Sequence, residues 1–261
     1  MRFRREVLLP CSASEAFDLH AREGAFERLA PPWDHLEILS KTGTGLEKNS
    51  TILLQLRKLG FRKEWLAVIS ECSDGVYFKD VQVRGPFAKW EHKHAFNGVD
   101  ASTSILADEI EYALPGGSLV NSFARGHVQS ILERTFWYRH EITKNDLVLW
   151  DRYRDRNPSK ILISGGYGFL GSRLSAFLRA QGHSVAVLTR SPKNGDVGWD
   201  PASGMVDKER LEGFDAVIHL AGENLASGRW NDQRKTQLWN SRVDATKLLV
   251  QALEGAKRRP Q

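Results

Sequence analysis

A glycine-rich stretch near the middle of the chain has the residue types and spacing of a phosphate-binding turn. The stretch reads SGGYGFLG from Ser164 to Gly171; it follows the apolar run KILIS and opens a run of helical period. Gly165 permits a tight turn, Gly168 lets backbone amides approach a pyrophosphate, and Gly171 lets the helix pack close to the sheet. The helix N-terminus then offers N–H groups and a positive dipole end. This context predicts a dinucleotide site, the alternative being an ordinary glycine-rich turn.

The ends of two neighbouring strands predict further contacts to a dinucleotide. An acidic residue after the second strand would bind the ribose of NAD, but Thr189 and Arg190 stand there. A hydroxyl and a cation suit the 2′-phosphate, so we predict NADP as the cofactor, with NAD or a merely exposed arginine as the alternatives. The strand end HLAG offers small side chains where the adenine of a bound dinucleotide is expected to lie. The predicted cofactor-binding residues are Gly165, Tyr167, Gly168, Phe169, Leu170, Thr189, Arg190, Leu220, Ala221 and Gly222.

The run KWEHKHAF, in the first half of the chain, also carries residues that could do chemistry. Strand alternation puts every second side chain on one face, namely Trp90, His92, His94 and Phe96. This face predicts the wall of a ligand cavity, and its histidines could act as acid and base or bind zinc. Zinc would need a third ligand, and the sequence offers His35, Asp34 and Glu111 without bringing them together. We therefore predict no metal.

An acidic residue in the preceding strand is a further candidate for a buried polar group. Asp80, in YFKDVQ, alternates with Val76 and Phe78 and would face inward with them. A buried carboxylate needs a partner, such as Arg84 or a histidine.

The second half of the chain alternates strands and helices. KILIS, HSVAVLT and DAVIHLAG are short apolar strands, while Gly171–Ala180 and DQRKTQLWNSRVDATKLLVQAL are helices. This alternation predicts a parallel α/β sheet, an incomplete Rossmann domain over residues 160–261. Only the first half of a doubly wound sheet is present. Its last strand is expected to have a bare edge, which favours self-association unless further chain covers it.

The first half has the pattern of an α+β domain. RFRREVLL predicts a strand, and Ser12 and Glu15 have capping-box spacing at the start of a helix. Strand-like runs follow from Leu36 to Ala113, and a helical run then carries one apolar side, formed by Val128, Ile131, Leu132, Phe136 and Ile142. We predict a helix-grip domain over residues 1–150, an antiparallel sheet wrapped on a long C-terminal helix, and a linker at 151–159. Core or cavity positions are predicted for Trp33, Trp65 and Trp137.

Composition limits the classes of protein to which the chain can belong. Its 261 residues, 41% of them hydrophobic, suit about two domains with buried cores. No apolar run reaches the roughly 20 residues of a membrane-spanning helix, and the N-terminus lacks the apolar segment of a secretory signal. Cys11 and Cys72 make no disulfide framework, which predicts a cytoplasmic location. The net charge of +5 lies mainly in the second half and suits an anion; because no nucleic-acid motif accompanies it, we predict no nucleic-acid partner.

The second half resembles the extended short-chain dehydrogenase/reductase superfamily, whose TGxxGxxG pattern matches Ser164–Gly171. Val197–Gly204, His219–Trp230 and Asn240–Val250 resemble an epimerase-like subgroup, often labelled nucleoside-diphosphate-sugar epimerases. The resemblance covers Lys160 to about Leu253 and implies an NADP-binding domain. In that superfamily a Tyr-x-x-x-Lys pair transfers the proton, but no tyrosine of this chain is followed four residues later by lysine. No catalytic residue is therefore assigned.

The first half resembles the START-like, helix-grip superfamily, also called SRPBCC, in the version fused ahead of this epimerase-like domain. The residues that carry the resemblance are Phe26–His35, Phe78–Phe96 and Asp108–Pro115. The resemblance implies a cavity for a small hydrophobic or aromatic ligand, without choosing a chemistry.

Three functions remain open from the sequence. A longer parent protein would be an NADP-dependent epimerase or oxidoreductase acting on a ligand that the first domain captures. This chain alone, which lacks the Tyr-x-x-x-Lys pair, would be a lipid- or aromatic-ligand-binding module with a nucleotide-sensing half-domain. The third function is that of an interaction protein whose exposed sheet edge pairs with another chain. We expect the chain to be a catalytically incomplete fragment or a naturally shortened relative.

Overall fold

The chain folds into two compact units, Met1–Asp155 and Arg156–Gln261. The computed structural model describes residues 1–43, 45–58, 61–193 and 195–260. Within those residues, no helix combines the length and the apolar character that crossing a membrane requires.

The first unit is an antiparallel sheet with a long C-terminal helix. Its described elements are β1 (Arg2–Leu9), α1 (Ala13–Ala21), α2 (Ala25–Leu29), β2 (Leu36–Thr42), β3 (Thr51–Lys58), β4 (Phe61–Ser73), β5 (Tyr77–Arg84), β6 (Lys89–Gly98), β7 (Ser104–Ala113) and α3 (Gly117–Tyr153). The strand order is β1-β7-β6-β5-β4-β3-β2, and neighbouring strands in this order are antiparallel. Register shifts in β2 and β4 bend the sheet. The predicted α+β architecture is confirmed.

The start of α1 follows its sequence signal. The Ser12 hydroxyl accepts the N–H of Glu15, and the Glu15 carboxylate accepts the N–H of Ser12, which completes the predicted capping box. The helical run then breaks at Arg22, and Gly24, with φ of 81°, begins α2. The run from Ala13 to Leu29 therefore forms two short helices instead of one.

Helix α3 packs through a stripe that contains polar as well as apolar residues. Its side chains Leu132, Phe136, His140, Thr143 and Leu147 are buried and repeat at helical spacing. Phe136 contacts Phe3 of β1, with ring centroids 5.4 Å apart. Ile131 and Trp137 lie off this stripe and are exposed, so the predictions that placed Ile131 on the apolar side and Trp137 in the core are wrong. The helix also extends to Tyr153, into the predicted linker.

The second unit is a mainly parallel sheet with helices between its strands. Its described elements are β8 (Lys160–Ser164), α4 (Phe169–Ala180), β9 (Ser184–Thr189), β10 (Val197–Asp200), β11 (Met205–Val206), a 3₁₀ turn at Glu209–Leu211, β12 (Ala216–His219) and α5 (Asp232–Glu254). The order is β11-β10-β9-β8-β12, with β11 antiparallel to β10 and the other pairs parallel. The parallel α/β sheet is confirmed. The β10–β11 hairpin was not predicted, because two such short strands give little periodic signal.

The packing of α3 gives a direct test of the first unit. Phe136→Ala should lower the free energy of unfolding by about 3–5 kcal/mol, because Phe136 is 2% exposed and its removal leaves a cavity. Trp137→Ala is the matched control, since its ring is 54% exposed and its loss should cost about 1 kcal/mol or less. Urea unfolding followed by circular dichroism measures both. Equal losses in the two variants would contradict this packing.

Candidate functional site

The glycine-rich turn lies at the carboxyl end of β8, where the chain passes very close to itself. Gly165 has φ of 71°, and a Cβ there would lie 2.9 Å from the amide N of Ala221. A Cβ at Gly171 would lie 2.1 Å from the carbonyl O of Gly165. Neither atom can be accommodated without moving backbone. These two glycines therefore let α4 begin directly against the end of the strand.

The first turn of α4 presents backbone N–H groups that no side chain caps. Gly168 is the N-cap residue, and it offers no side-chain hydrogen bond. Its own N–H donates to the carbonyl of Gly165, and its carbonyl accepts the N–H of Ser172. The N–H groups of Phe169, Leu170 and Gly171 precede the first intrahelical bond and have no acceptor within the helix. The Phe169 and Leu170 side chains are 79% and 67% exposed, so a phosphate could approach this end of the helix from solvent, whereas Gly171 is buried.

Ser164 fixes the turn against the neighbouring strand end. Its buried hydroxyl accepts the N–H groups of Leu220 and Ala221, at 3.1 and 3.2 Å. The same hydroxyl lies 2.5 Å from Nδ1 of His219, so it donates its proton to that nitrogen. Burial lowers the pKa of His219, which keeps Nδ1 able to accept. Ser164 thus joins β8 to β12 beside the predicted cofactor contacts.

Tyr167 is held by a loop that the sequence did not connect with it. Its hydroxyl donates to Oδ2 of Asp196 at 2.7 Å, and that buried oxygen also accepts the N–H of Lys193. The Lys193 ammonium lies 5.2 Å from the Tyr167 ring centroid. Burial, reinforced by the Asp196 carboxylate, raises the pKa of Tyr167 to about 12. The phenol therefore stays protonated and links the glycine-rich turn to the loop after β9.

The remaining predicted cofactor residues lie at the ends of β9 and β12. Thr189 ends β9 and accepts the N–H of Ser191 through its hydroxyl, and Arg190 follows with an exposed side chain. Leu220 is exposed beyond β12. A Cβ at Gly222 would lie 3.4 Å from Cζ of Arg242, whose guanidinium donates to the carbonyls of Glu223 and Leu238. Adjacent parallel strands end at one edge, so these groups share the edge that carries the turn.

Arg234, which the sequence did not single out, orders the loop after β12. The side chain is mostly buried and donates to Oε2 of Glu223, the carbonyl of Asn224 and the hydroxyl of Ser227. The residues that carry the family resemblance include this loop. Arg234, which holds the loop in place, lies in α5, so the contact could be found only from the fold. The loop borders the predicted adenine side of the site.

In the first unit, residues of β6 form a buried polar cluster beside α3. Trp90, His92, His94 and Phe96 are all buried, and the strand shows the predicted alternation. Asp108 of β7 lies between three imidazoles: its Oδ1 is 2.8 Å from His92 Nε2 and 2.7 Å from His94 Nδ1, and its Oδ2 is 2.6 Å from His140 Nε2. The contact to His94 lacks hydrogen-bond geometry.

A second carboxylate lies on the other side of the same two rings. Oδ2 of Asp80 is 3.3 Å from His92 Nδ1 and 3.6 Å from His94 Nε2. One ligand atom from each of Asp80, His92 and His94 lies within 4.8 Å of the others. Phe78 stacks on His94 with ring centroids 4.1 Å apart. The arrangement places two carboxylates and two imidazoles in a largely apolar interior.

The charges of this cluster are set by competition between burial and partners. Burial opposes ionisation of Asp108, but the His94 charge and hydrogen bonds from the imidazoles outweigh it and hold the pKa of Asp108 well below its usual value. Contacts with His92 and His94 likewise outweigh burial and lower the pKa of Asp80. For His92, the hydrogen bonds and charges of the two carboxylates outweigh burial and raise its pKa. Burial and the charge of His92 lower the pKa of His94.

Two sequence predictions about this cluster are corrected by the fold. Glu111 was a candidate third ligand, yet it faces away from the histidines and pairs with Lys89 and Arg2. Asp80 takes its place, and His35 and Asp34 are not in the group. Arg84, the alternative partner for Asp80, pairs with Glu64 instead. Asp108 was missed, although its alternation with the buried Leu106 and Ile110 was a usable signal.

Comparison with known proteins places the second unit near one family. Residues 161–259 match the model described as the NAD dependent epimerase/dehydratase family. A human protein named Epimerase family protein SDR39U1 is 37% identical over 106 residues, covering 39% of this chain and 34% of that protein. A crystal structure of the human protein with NADPH is 36% identical over the same shares, with a TM-score of 0.34. The chain thus spans about a third of the length of the curated relatives it matches.

A solved structure is similar to both units together. The crystal structure of the nucleoside-diphosphate sugar epimerase from Corynebacterium glutamicum covers 98% of this chain with a TM-score of 0.79 and 27% identity. The similar region is 52% of that chain. An antiparallel unit followed by a parallel α/β unit therefore also occurs within a single, longer polypeptide.

The Ser164–His219 contact predicts a pH dependence of the second unit. Because folding lowers the pKa of His219, the unfolded chain binds more protons, and stability falls as pH drops below about 6.5. His219→Asn keeps an acceptor for Ser164 and removes the titration. Hydrogen exchange of the β8 and β12 segments, compared between wild type and variant at pH 7.5 and 5.5, should show the larger loss of protection in wild type. The control is His127→Asn, at an exposed position; equal loss in wild type and His219→Asn would contradict the assignment.

Proposed function

We propose that the second unit binds NADP, with the pyrophosphate on the first-turn amides of α4. One observation carries this proposal: the N-terminus of α4 has no side-chain cap and begins against a strand end that only glycine at 165 and 171 permits. Three N–H donors in an open first turn, at the positive end of a helix dipole, suit a diphosphate. The residues present therefore fit the group that the family description implies.

The sheet order supports the same location. β8 lies between β9 and β12, so the chain order reverses beside β8. Ligands of open α/β sheets bind outside the carboxyl ends of the strands at such a reversal. Ser164, through its bonds to Leu220 and Ala221, holds the two strand ends that would flank the dinucleotide.

The preference for NADP over NAD is proposed from the end of β9. Thr189 supplies a hydroxyl and Arg190 an exposed cation where an acidic side chain would favour the free ribose of NAD. A guanidinium can bind a phosphate through two N–H groups at once. No acidic side chain follows β9 before Asp196, and that carboxylate is engaged by Tyr167 and Lys193.

We propose an epimerase or oxidoreductase activity for the longer protein to which such a unit would belong. Bound NADP supplies a hydride acceptor or donor. The residues of this chain hold and orient the dinucleotide, and the missing Tyr-x-x-x-Lys pair leaves the proton transfer without an assigned residue. The crystal structure from Corynebacterium glutamicum, named a nucleoside-diphosphate sugar epimerase, supports the class of reaction.

A second candidate function is binding without turnover by this chain. The observation that favours it is an aromatic group of the first unit, in which Trp65, Phe87 and Trp90 pack edge-on or tilted within 6 Å of one another, with Trp65 and Phe87 only partly buried. Such rings suit a small hydrophobic or aromatic ligand between sheet and helix. Nucleotide binding by the second unit is expected under both functions.

Gly168 provides the sharpest test of nucleotide binding. Its φ of −77° and ψ of 176° suit any residue, and an added Cβ would contact only the Gly165 carbonyl, at 3.2 Å. Gly168→Val should therefore fold but obstruct the phosphates, weakening NADPH binding at least tenfold, about 1.4 kcal/mol. Calorimetric titration measures the dissociation constant. Gly255→Val, at a site whose nearest atom is 3.6 Å away, should bind normally; a folded Gly168→Val that also binds normally would overturn the site.

Arg190 tests the choice between the two dinucleotides. Arg190→Asp should weaken NADPH binding about tenfold or more, because the 2′-phosphate loses a charge-assisted contact and meets a carboxylate. NADH binding should be kept or improved. The control is Arg210→Asp, which makes the same charge change at another exposed position of the unit. If the ratio of the two dissociation constants stayed at its wild-type value, Arg190 would have no role in selecting the cofactor.

A further inference from the structure

Two distances within the group formed by Asp80, His92 and His94 are close to those between ligands of one metal ion. The Asp80 Oδ2 atom is 3.3 Å from His92 Nδ1 and 3.6 Å from His94 Nε2. Charge-assisted hydrogen bonds are shorter, about 2.7–2.9 Å. Ligand atoms about 2.0–2.1 Å from a tetrahedral zinc ion lie about 3.3–3.4 Å from each other. From this spacing we infer that the first unit binds a divalent transition-metal ion between Asp80, His92 and His94.

Asp108 lies on the far side of both histidine ligands from Asp80 and is hydrogen-bonded to His92, while its contact with His94 is a close approach only. Its Oδ1 lies 2.8 Å from His92 Nε2 and 2.7 Å from His94 Nδ1, the nitrogens that face away from Asp80. Imidazoles that bind metals commonly donate their second N–H to a carboxylate, which fixes the tautomer. With the protons on these nitrogens, the lone pairs of the opposite nitrogens point toward the Asp80 carboxylate. A cation between them would be bound by all three groups.

The negative charge of the two carboxylates in the cluster also favours a bound cation. Asp108 is 2% exposed and Asp80 19% exposed, and their ion-pair partners in the described part of the chain are His92, His94 and His140. The His92 and His94 rings have centroids 3.8 Å apart, so positive charges on both of these rings would repel each other. One divalent ion balances both carboxylates while the rings stay neutral.

The surroundings hold the ligands in place and leave one side open. Phe78 stacks on His94, and Phe136 meets His92 edge-on with centroids 5.2 Å apart. His92 and His94 are 3% exposed, so Asp80 is the ligand nearest solvent. Two histidines and one carboxylate suit zinc or ferrous iron, and three protein ligands leave a coordination position for water or a substrate oxygen. This site lies in the first unit and does not depend on nucleotide binding by the second.

The test is metal binding by the full chain without a histidine tag. After chelator treatment and dialysis, titration with Zn²⁺ should show one ion per chain, and Co²⁺ should give the visible absorption of a four- or five-coordinate ion. Asp80→Asn, which keeps the shape and removes the charge, should weaken Zn²⁺ binding at least a hundredfold. Asp108→Asn should weaken it about 10–100-fold, as expected for an outer partner. His127→Gln and Cys72→Ser, at exposed positions, should bind Zn²⁺ like wild type.

Two results would overturn the inference. A folded wild-type chain that takes up less than one tenth of an equivalent of either ion would show a metal-free, protonated cluster. Zinc binding that survives in Asp80→Asn but is lost in Cys72→Ser or His127→Gln would show surface binding instead. Circular dichroism of each variant accompanies the titrations, and Asp80→Glu, which retains a carboxylate, replaces Asp80→Asn if the latter does not fold.

Discussion

The close approach of α4 to the end of β8 is the constraint on which the second unit depends. A Cβ at Gly171 would lie 2.1 Å from the Gly165 carbonyl, so the helix can pack this closely only with glycine at position 171. The same approach leaves the first-turn amides of α4 uncapped beside the reversal of strand order. A packing requirement and an anion-binding geometry are therefore met by the same residues. The Ser164 hydroxyl then links the end of β8 to the end of β12, because it accepts the N–H groups of Leu220 and Ala221.

The parts of the second unit that follow from local pattern could be read from the sequence. Glycines after an apolar strand and before a helix are a signal that needs no tertiary information. The Tyr167–Asp196 and Arg234–Asn224 contacts could not be predicted in this way, because they join residues 29 and 10 positions apart whose approach depends on the fold. The β10–β11 hairpin was missed for a different reason: its strands are four and two residues long, too short for periodicity to show.

In the first unit, alternation identified the buried face of β6 and the inward direction of Asp80, whose predicted histidine partner is confirmed, but it did not identify Asp108. Register pairs His92 with Asp80 on one side, and His94 with Asp108 on the other. A sequence gives the face of each strand, while register depends on turns and bulges, here including two irregularities between β4 and β5. The metal inference therefore reverses the prediction that no metal binds, because the carboxylate came from a strand whose register the sequence left open.

We thus propose a dinucleotide site made of backbone groups in the second unit and a metal site made of buried side chains in the first. The central claim, that amides of the first turn of α4 bind the pyrophosphate, is tested most directly by nuclear magnetic resonance of the ¹⁵N-labelled chain. On titration with NADP, the amide signals of Phe169, Leu170 and Gly171 should shift together and saturate, while those of the first unit's β6 stay in place. Saturable NADP binding that leaves these three amide signals unmoved would contradict the account.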